Sequence, residues 1–341
     1  MDDDTATGTG RGARPGRRAR PRRAGKAAAL LTASVALSLA AACTTERAPA
    51  DDGRATARQP SPSGTAPRPA VGPPLAVKID NVRAARPHTG VNAADIVYVE
   101  QVEGGLSRLM AVYVTKLPKS VGPVRSARES DLELLRQFDR PVLAFSGAQS
   151  KLLPLIDKAP LRAVTPEKNA DVFYRAPSRP APYNLYLRPG LLLPSAPGQA
   201  ALTTGFRFGA APSGGTPETS RTVRYPAASF TFTWSESRGR WLVSMDGRPT
   251  VTTDAGRAAP ATVVVQHVKV RASAFRDFLG NTTPYTETVG SGKAEVLRDG
   301  RSYDAAWQRP NATDGTRLTT RDGRPVALAA GQVWVVFVEA R

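Results

Sequence analysis

Eight side chains between positions 80 and 128 have the types and spacing to build a polar site: Asp80, Asn81, Arg86, Glu100, Glu103, Arg108, Arg125 and Arg128. Arginine forks take a carboxylate or a phosphate bidentately. Carboxylates accept hydroxyl or ammonium groups, and they supply acid–base chemistry when their pKa values are split. Several of the eight adjoin Gly104-Gly105 or Gly122-Pro123, which puts them on loops, where sites are built. The same residues would equally serve as Arg–carboxylate pairs that pin those loops together. A later loop adds Arg175, Arg179 and Asn184, placed to close over such a site.

Other chemistries find little support. A glycosidase needs two facing carboxylates, and Asp80 with Glu100 or Glu103 would have to provide them. Ser107 in GGLSR and Ser126 in PVRSAR lie outside any nucleophile elbow. The chain has two histidines. His267 sits in an apolar run, which leaves His88 as the sole base for a triad. No HExxH, cysteine pair, EF-hand loop or phosphate-cradling glycine loop occurs. The expectation is no metal and no cofactor, with catalytic residues unassigned.

The elements that must position these residues are short. LAVKI, ADIVYVE, LMAVYVT and PVLAFSG read as strands from their β-branched and aromatic content. Residues 129–138 read as a helix capped by Ser126 or Ser130. KLLPLID is a short piece interrupted by Pro154. Residues 171–188 are rich in proline yet carry Phe173, Tyr174, Tyr183 and Tyr186, the pattern of an ordered loop. After residue 221 the chain reads as mainly β: FTFTW and RWLVSM pair across SESRG. Asp246-Gly247, Asp299-Gly300 and Asp322-Gly323 each carry the type I′ hairpin signal. The expected class is α+β, a mixed α/β domain at 74–208, a linker at 209–221 and a mainly β domain at 222–341. The length of 341 residues fits two domains.

The chain's start reads as an address. Eight Lys or Arg precede an apolar run to Ala42, and residues 1–42 contribute +5 of the net charge of +18. This is a signal segment, with Sec and twin-arginine export both open. The lone cysteine, Cys43, follows three alanines and resembles the lipid-attachment cysteine of a bacterial lipobox. Two acyl chains there would anchor stably. Residues 43–73, rich in Pro, Ser, Thr, Ala and Gly, read as a disordered tether. The expected location is the extracytoplasmic face of the cell membrane, held by lipid. With Cys43 so used, no thiol remains for a disulfide or a nucleophile. The basic balance follows from arginine spread along the chain without interleaved aromatics, so nucleic acid is not an expected partner.

PLAVKIDN, ARPHTGVNAADIVYVEQVEGGLSRLMAVY and GPVRSAR resemble the N-terminal domain of the YerB-like bacterial lipoproteins. RPAPYNLY resembles a later motif of that domain, with Tyr183 where the family commonly has His. VVVQHVKV, GSGKAEVLRDGRSYDAAWQR and DGRPVALAAGQVWVVFV resemble its C-terminal domain. The resemblance covers roughly 74–339. It implies a membrane-anchored lipoprotein, with a link to cell-wall synthesis suggested for relatives, and it brings no catalytic residues. The leading expectation is a protein of the cell envelope that binds a ligand or partner, with wall polymer or wall-synthesis enzymes as candidates. The alternatives are an envelope hydrolase or transferase using Glu100 or Glu103 as acid–base, and a non-catalytic scaffold for membrane enzymes.

Overall fold

Apolar runs of five to nine residues become strands because their side chains can be buried on both sides of a pleated layer. The computed structural model describes residues 72–277 and 280–340. The expected signal segment, Cys43 and nearly all of the tether lie outside the described residues. Among the described residues no helix is long and apolar enough to cross a membrane.

β1 (Leu75–Asp80) and β2 (Ile96–Gln101) both pair antiparallel with β3 (Ser107–Tyr113). Helix α1 (Glu129–Leu135), β4 (Val142–Ala144), α2 (Leu153–Lys158) and β5 (Arg162–Val164) follow, with β4 parallel to β1 and β5 parallel to β4. A small ribbon of β6 (Phe173–Arg175) and β7 (Leu185–Leu187) precedes α3 (Pro189–Leu192). The segment 209–221 contributes β8 (Thr216–Pro217) and the start of β9 (Ser220–Tyr225). β9, β10 (Ala228–Ser235), β11 (Arg240–Met245) and β12 (Arg248–Pro249) form a separate four-stranded meander. The short pair β13 (Val251–Thr252) and β14 (Gly256–Arg257) leads to β15 (Thr262–Val268). A ribbon of β16 (Val270–Arg276) and β17 (Thr282–Thr286) comes next. β18 (Gly290–Arg298), β19 (Arg301–Arg309), β20 (Arg317–Thr319) and β21 (Val333–Glu339) complete the chain.

The last strand ties the halves together. β21 lies between β15 and β2 and is parallel to both, with Val333 opposite Thr262 on one side and Ile96 on the other. One eleven-stranded sheet therefore runs from β20 to β5, and the described residues belong to one compact unit. VWVVFV is apolar at every position because a central parallel strand is covered on both faces.

Alternation along the strands feeds two cores. Leu75, Val77 and Ile79 face the meander and meet Phe230, Phe232, Trp241 and Val243. Ala76, Tyr98, Met110 and Val112 face α1 and meet Leu134, Leu135 and Phe138.

The mixed α/β character and the β-rich C-terminal half match the sequence reading, and local details differ. The helix ends at Leu135, and Phe138 packs from the turn beyond it. Its cap is formed by Asp131 Oδ2, which accepts the Arg128 backbone N–H at 2.7 Å, and neither serine serves. Pro154 sits in the first turn of α2, where its missing N–H costs nothing. Asp246-Gly247 and Asp299-Gly300 adopt the two positive φ values of a type I′ turn. At Asp322-Gly323 only the glycine does, so the third DGR is a different turn. The aromatic loop is ordered: Tyr174 stacks on Tyr186 at 5.5 Å, and the Arg188 guanidinium lies 4.3 Å from the Tyr174 ring centre.

Candidate functional site

β1, β2, β4, β5, β15 and β21 run in one direction, so their C-terminal ends share one edge of the sheet. Open sheets of this kind present their binding residues at that edge. The register sets three side chains in a row there: Asp80 opposite Arg108, and Arg108 opposite Glu100. The period of two places these on the α1 face and the next pair, Asn81 and Ser107, on the meander face. The eight expected residues therefore divide into two groups.

On the α1 face almost every charge has a partner. Asp80, 2% exposed, forms an ion pair with Arg125, Nε to Oδ2 3.0 Å. Glu103 accepts a fork from Arg128, Nε to Oε1 and Nη2 to Oε2, both 2.7 Å, and a further bond from Thr283 at 2.5 Å. Burial pushes the Glu103 carboxyl up, but the bonds and charge of Arg128 outweigh it and hold it below the usual range. Glu100 accepts from Lys78 Nζ and, at 2.9 Å, from Ser130. Lys78 is fully buried and also donates to Asp131 at 2.7 Å.

Lys78 thus stands between two buried carboxylates. Burial and the charge of Glu100 push Asp131 up to about 6, against the pull of Lys78. Glu100 goes the other way: burial opposes its charge, but Lys78 and Ser130 more than compensate.

Arg108 is the exception. It is 7% exposed, forms no ion pair among the described residues, and donates one bond, Nη1 to the Ser126 carbonyl at 3.3 Å. Its Nε is buried without a hydrogen-bond partner. Burial, with the neighbouring charges of Arg128 and Arg125, draws its pKa from 12.5 down to about 10, against the opposing pull of Asp80 and Glu103. Native structures rarely leave a buried polar group unsatisfied, still less a cation.

On the meander face, Arg86 is fully engaged. Nε donates to Asn81 Oδ1 at 3.1 Å, Nη2 to the Asn81 carbonyl at 2.6 Å and Nη1 to Asp246 Oδ2 at 2.8 Å. It latches the N-terminal half to the β11–β12 turn. Asn81 donates to Ser107 Oγ at 2.9 Å. His88 Nε2 bonds the Asp80 carbonyl at 2.9 Å and is enclosed, so burial pushes its pKa down to about 4.

The aromatic loop does not reach the arginines of the α1 face. Arg175 donates to Asn184 at 2.8 Å. Arg179 donates to the carbonyls of Ala85 and Pro87 and to the Tyr186 hydroxyl. Among the described residues no group of three or more His, Cys, Asp or Glu is placed to hold a metal ion.

The sequence reading missed Lys78, Asp131, Thr283 and Asp246. A signal existed for the first: a lysine inside LAVKI cannot reach water from the middle of a buried strand and needs buried acceptors. The others come from distant segments that only the fold brings near.

Residues 63–205 match the family described as "Protein of unknown function (DUF3048) N-terminal domain", and residues 221–335 match its C-terminal domain. The chain belongs to this YerB-like family. It is 44% identical over 66 residues to "Putative lipoprotein YerB" of Bacillus subtilis (strain 168), a match spanning 19% of this chain and 20% of that protein. The crystal structure of the YerB protein from Bacillus subtilis shares the fold, with a TM-score of 0.64 at 21% identity over 79% of this chain and 91% of that one.

Proposed function

We propose that the protein is a lipoprotein of the cell envelope, held on the extracytoplasmic face of the membrane through Cys43, and that it binds an anionic ligand at Arg108, Arg125 and Arg128. Arg108 carries this reading. It is a buried guanidinium with an unsatisfied Nε and, among the described residues, no carboxylate in pairing distance. Arg128 and Arg125, with side chains 14% and 29% exposed, continue from it toward solvent. A carboxylate or phosphate entering past Arg125 would give Arg108 the direct ion pair that Asp80 and Glu103, which act on it only at longer range, do not form with it, in a fork geometry suited to either group. The address is supported by the signal segment, the lipobox-like Cys43 and the name borne by the Bacillus subtilis relative.

Acid–base catalysis by Glu100 and Glu103 has less support. Each carboxylate oxygen already accepts a hydrogen bond. Both groups are held below the usual range, so neither is a proton donor at neutral pH.

Calorimetric titration of the full-length chain in detergent tests the binding reading, with inorganic phosphate and a carboxylate-bearing muropeptide as probes. Saturable binding that Arg108→Met removes is the expected result. Equal heats from wild type and variant would refute it. Incorporation of labelled palmitate into wild type but not Cys43→Ser would support the anchor.

A further inference from the structure

The groove on the meander face is separate from the Arg108 site. Two adjoining clefts of about 410 Å³ and about 210 Å³ share Arg83 and Arg86. One wall is the loop after β1, and the other is the meander. Arg224 lines the larger cleft and Arg248 the smaller. The type I′ turn at Asp246-Gly247 places Arg248 at its end.

The charge in this groove is one-sided. Among the described residues its single acid is Asp246, which is already spent: Oδ2 accepts from Arg86 and Oδ1 from the Ser229 N–H. Arg83, Arg224 and Arg248 are exposed, and their side chains form no hydrogen bond or ion pair with the described residues. Three unpaired cations therefore line the two adjoining clefts. The lining also includes apolar residues: Leu106 and Pro226 in the larger cleft, Pro249 and Val251 in the smaller. Leu106 and Val251 are 36% and 48% exposed.

We propose that this groove binds an extended chain in which phosphates alternate with carbon linkers, a polyol or sugar phosphate polymer. Guanidinium forks match phosphate oxygens bidentately, and the apolar residues of the same clefts match the linkers. A lone small anion would satisfy one arginine and leave two. Nucleic acid also carries phosphodiesters, but the lining holds no exposed aromatic on which a base could stack.

The test is fluorescence anisotropy with a labelled glycerol-phosphate oligomer and the full-length chain in detergent. The basic leader is common to every variant, so variants are compared with wild type at equal salt. Three phosphate contacts to a single chain predict a loss of affinity of about 20-fold between 50 and 200 mM salt. Arg224→Gln with Arg248→Gln, both exposed, should weaken binding at least tenfold without altering the melting curve. All variants and probes are compared in the Arg108→Met background, so that anion binding on the other face does not contribute. Binding of free glycerol phosphate as tight as the oligomer would overturn the proposal. So would wild-type affinity in the double variant, or equal affinity for poly-γ-glutamate or single-stranded DNA.

Discussion

Replacing Arg108 by methionine should stabilise the ligand-free protein. The fall of the Arg108 pKa from 12.5 to about 10 corresponds to about 3 kcal/mol against the charged form in the folded state. Methionine keeps much of the aliphatic stem's packing and removes the charge and the unsatisfied Nε. It gives up one long hydrogen bond to Ser126, worth about 1 kcal/mol. The net expectation is a gain of about 1–2 kcal/mol. For a folded part of this size that raises Tm by roughly 2–4 °C. The assay is thermal unfolding by circular dichroism of wild type and variant in a buffer free of phosphate and carboxylates. If Arg108 instead holds the fold together, removing it strands Asp80 and Glu103 near an empty position. The variant would then lose about 3–5 kcal/mol, and that drop in Tm would refute the reasoning.

Acid should destabilise the protein through His88. Its folded pKa of about 4 lies below the ordinary value of 6.5, so its contribution is complete above pH 6.5 and lost as pH falls toward 4. Linkage gives a loss of about 2 kcal/mol between pH 7 and 5, and His88→Gln should flatten that part of the urea-unfolding profile. Lys78→Met leaves Glu100 and Asp131 facing each other without a cation and should cost about 3–5 kcal/mol at neutral pH. Part of that cost should be recovered near pH 5, as Asp131 takes a proton; an unchanged deficit there would contradict the assignment. Trp334→Ala removes a fully buried ring packed edge-on against Phe230 and Phe232 and should cost about 3–5 kcal/mol in urea unfolding.

Much of the scaffold was legible because its signals are local. The apolar runs of β1, β2 and β3, the alternation of β10 and two of the three Asp-Gly turns follow from residue type alone. The insertion of β21 between β2 and β15 was not legible. VWVVFV declares itself a fully buried strand, but which neighbours bury it depends on pairings more than two hundred residues apart. The site was legible in its membership and not in its geometry. The sequence places Asp80 and Asn81 side by side, and only the pleat sends them to opposite faces. Arg108 looks like its neighbours Arg125 and Arg128 in the sequence. Its lack of a partner emerges only when Lys78 has taken Glu100, Arg125 has taken Asp80 and Arg128 has taken Glu103. Arg175 and Asn184 are expected at the site because residues 171–188 form an ordered loop that could close over it. The Tyr174–Tyr186 stack and the β6–β7 ribbon fix that loop elsewhere.

The central claim is that Arg108 waits for an anion, and a melting curve at rising phosphate tests it most directly. A ligand that binds only the folded state stabilises it by about 2.7 kcal/mol at one hundred times its Kd. Wild type should therefore gain roughly 5 °C at that concentration and go on rising with the logarithm of phosphate, while Arg108→Met, starting higher, should gain none. A flat response in wild type across phosphate and muropeptide, or the same gain in both proteins, would contradict the account.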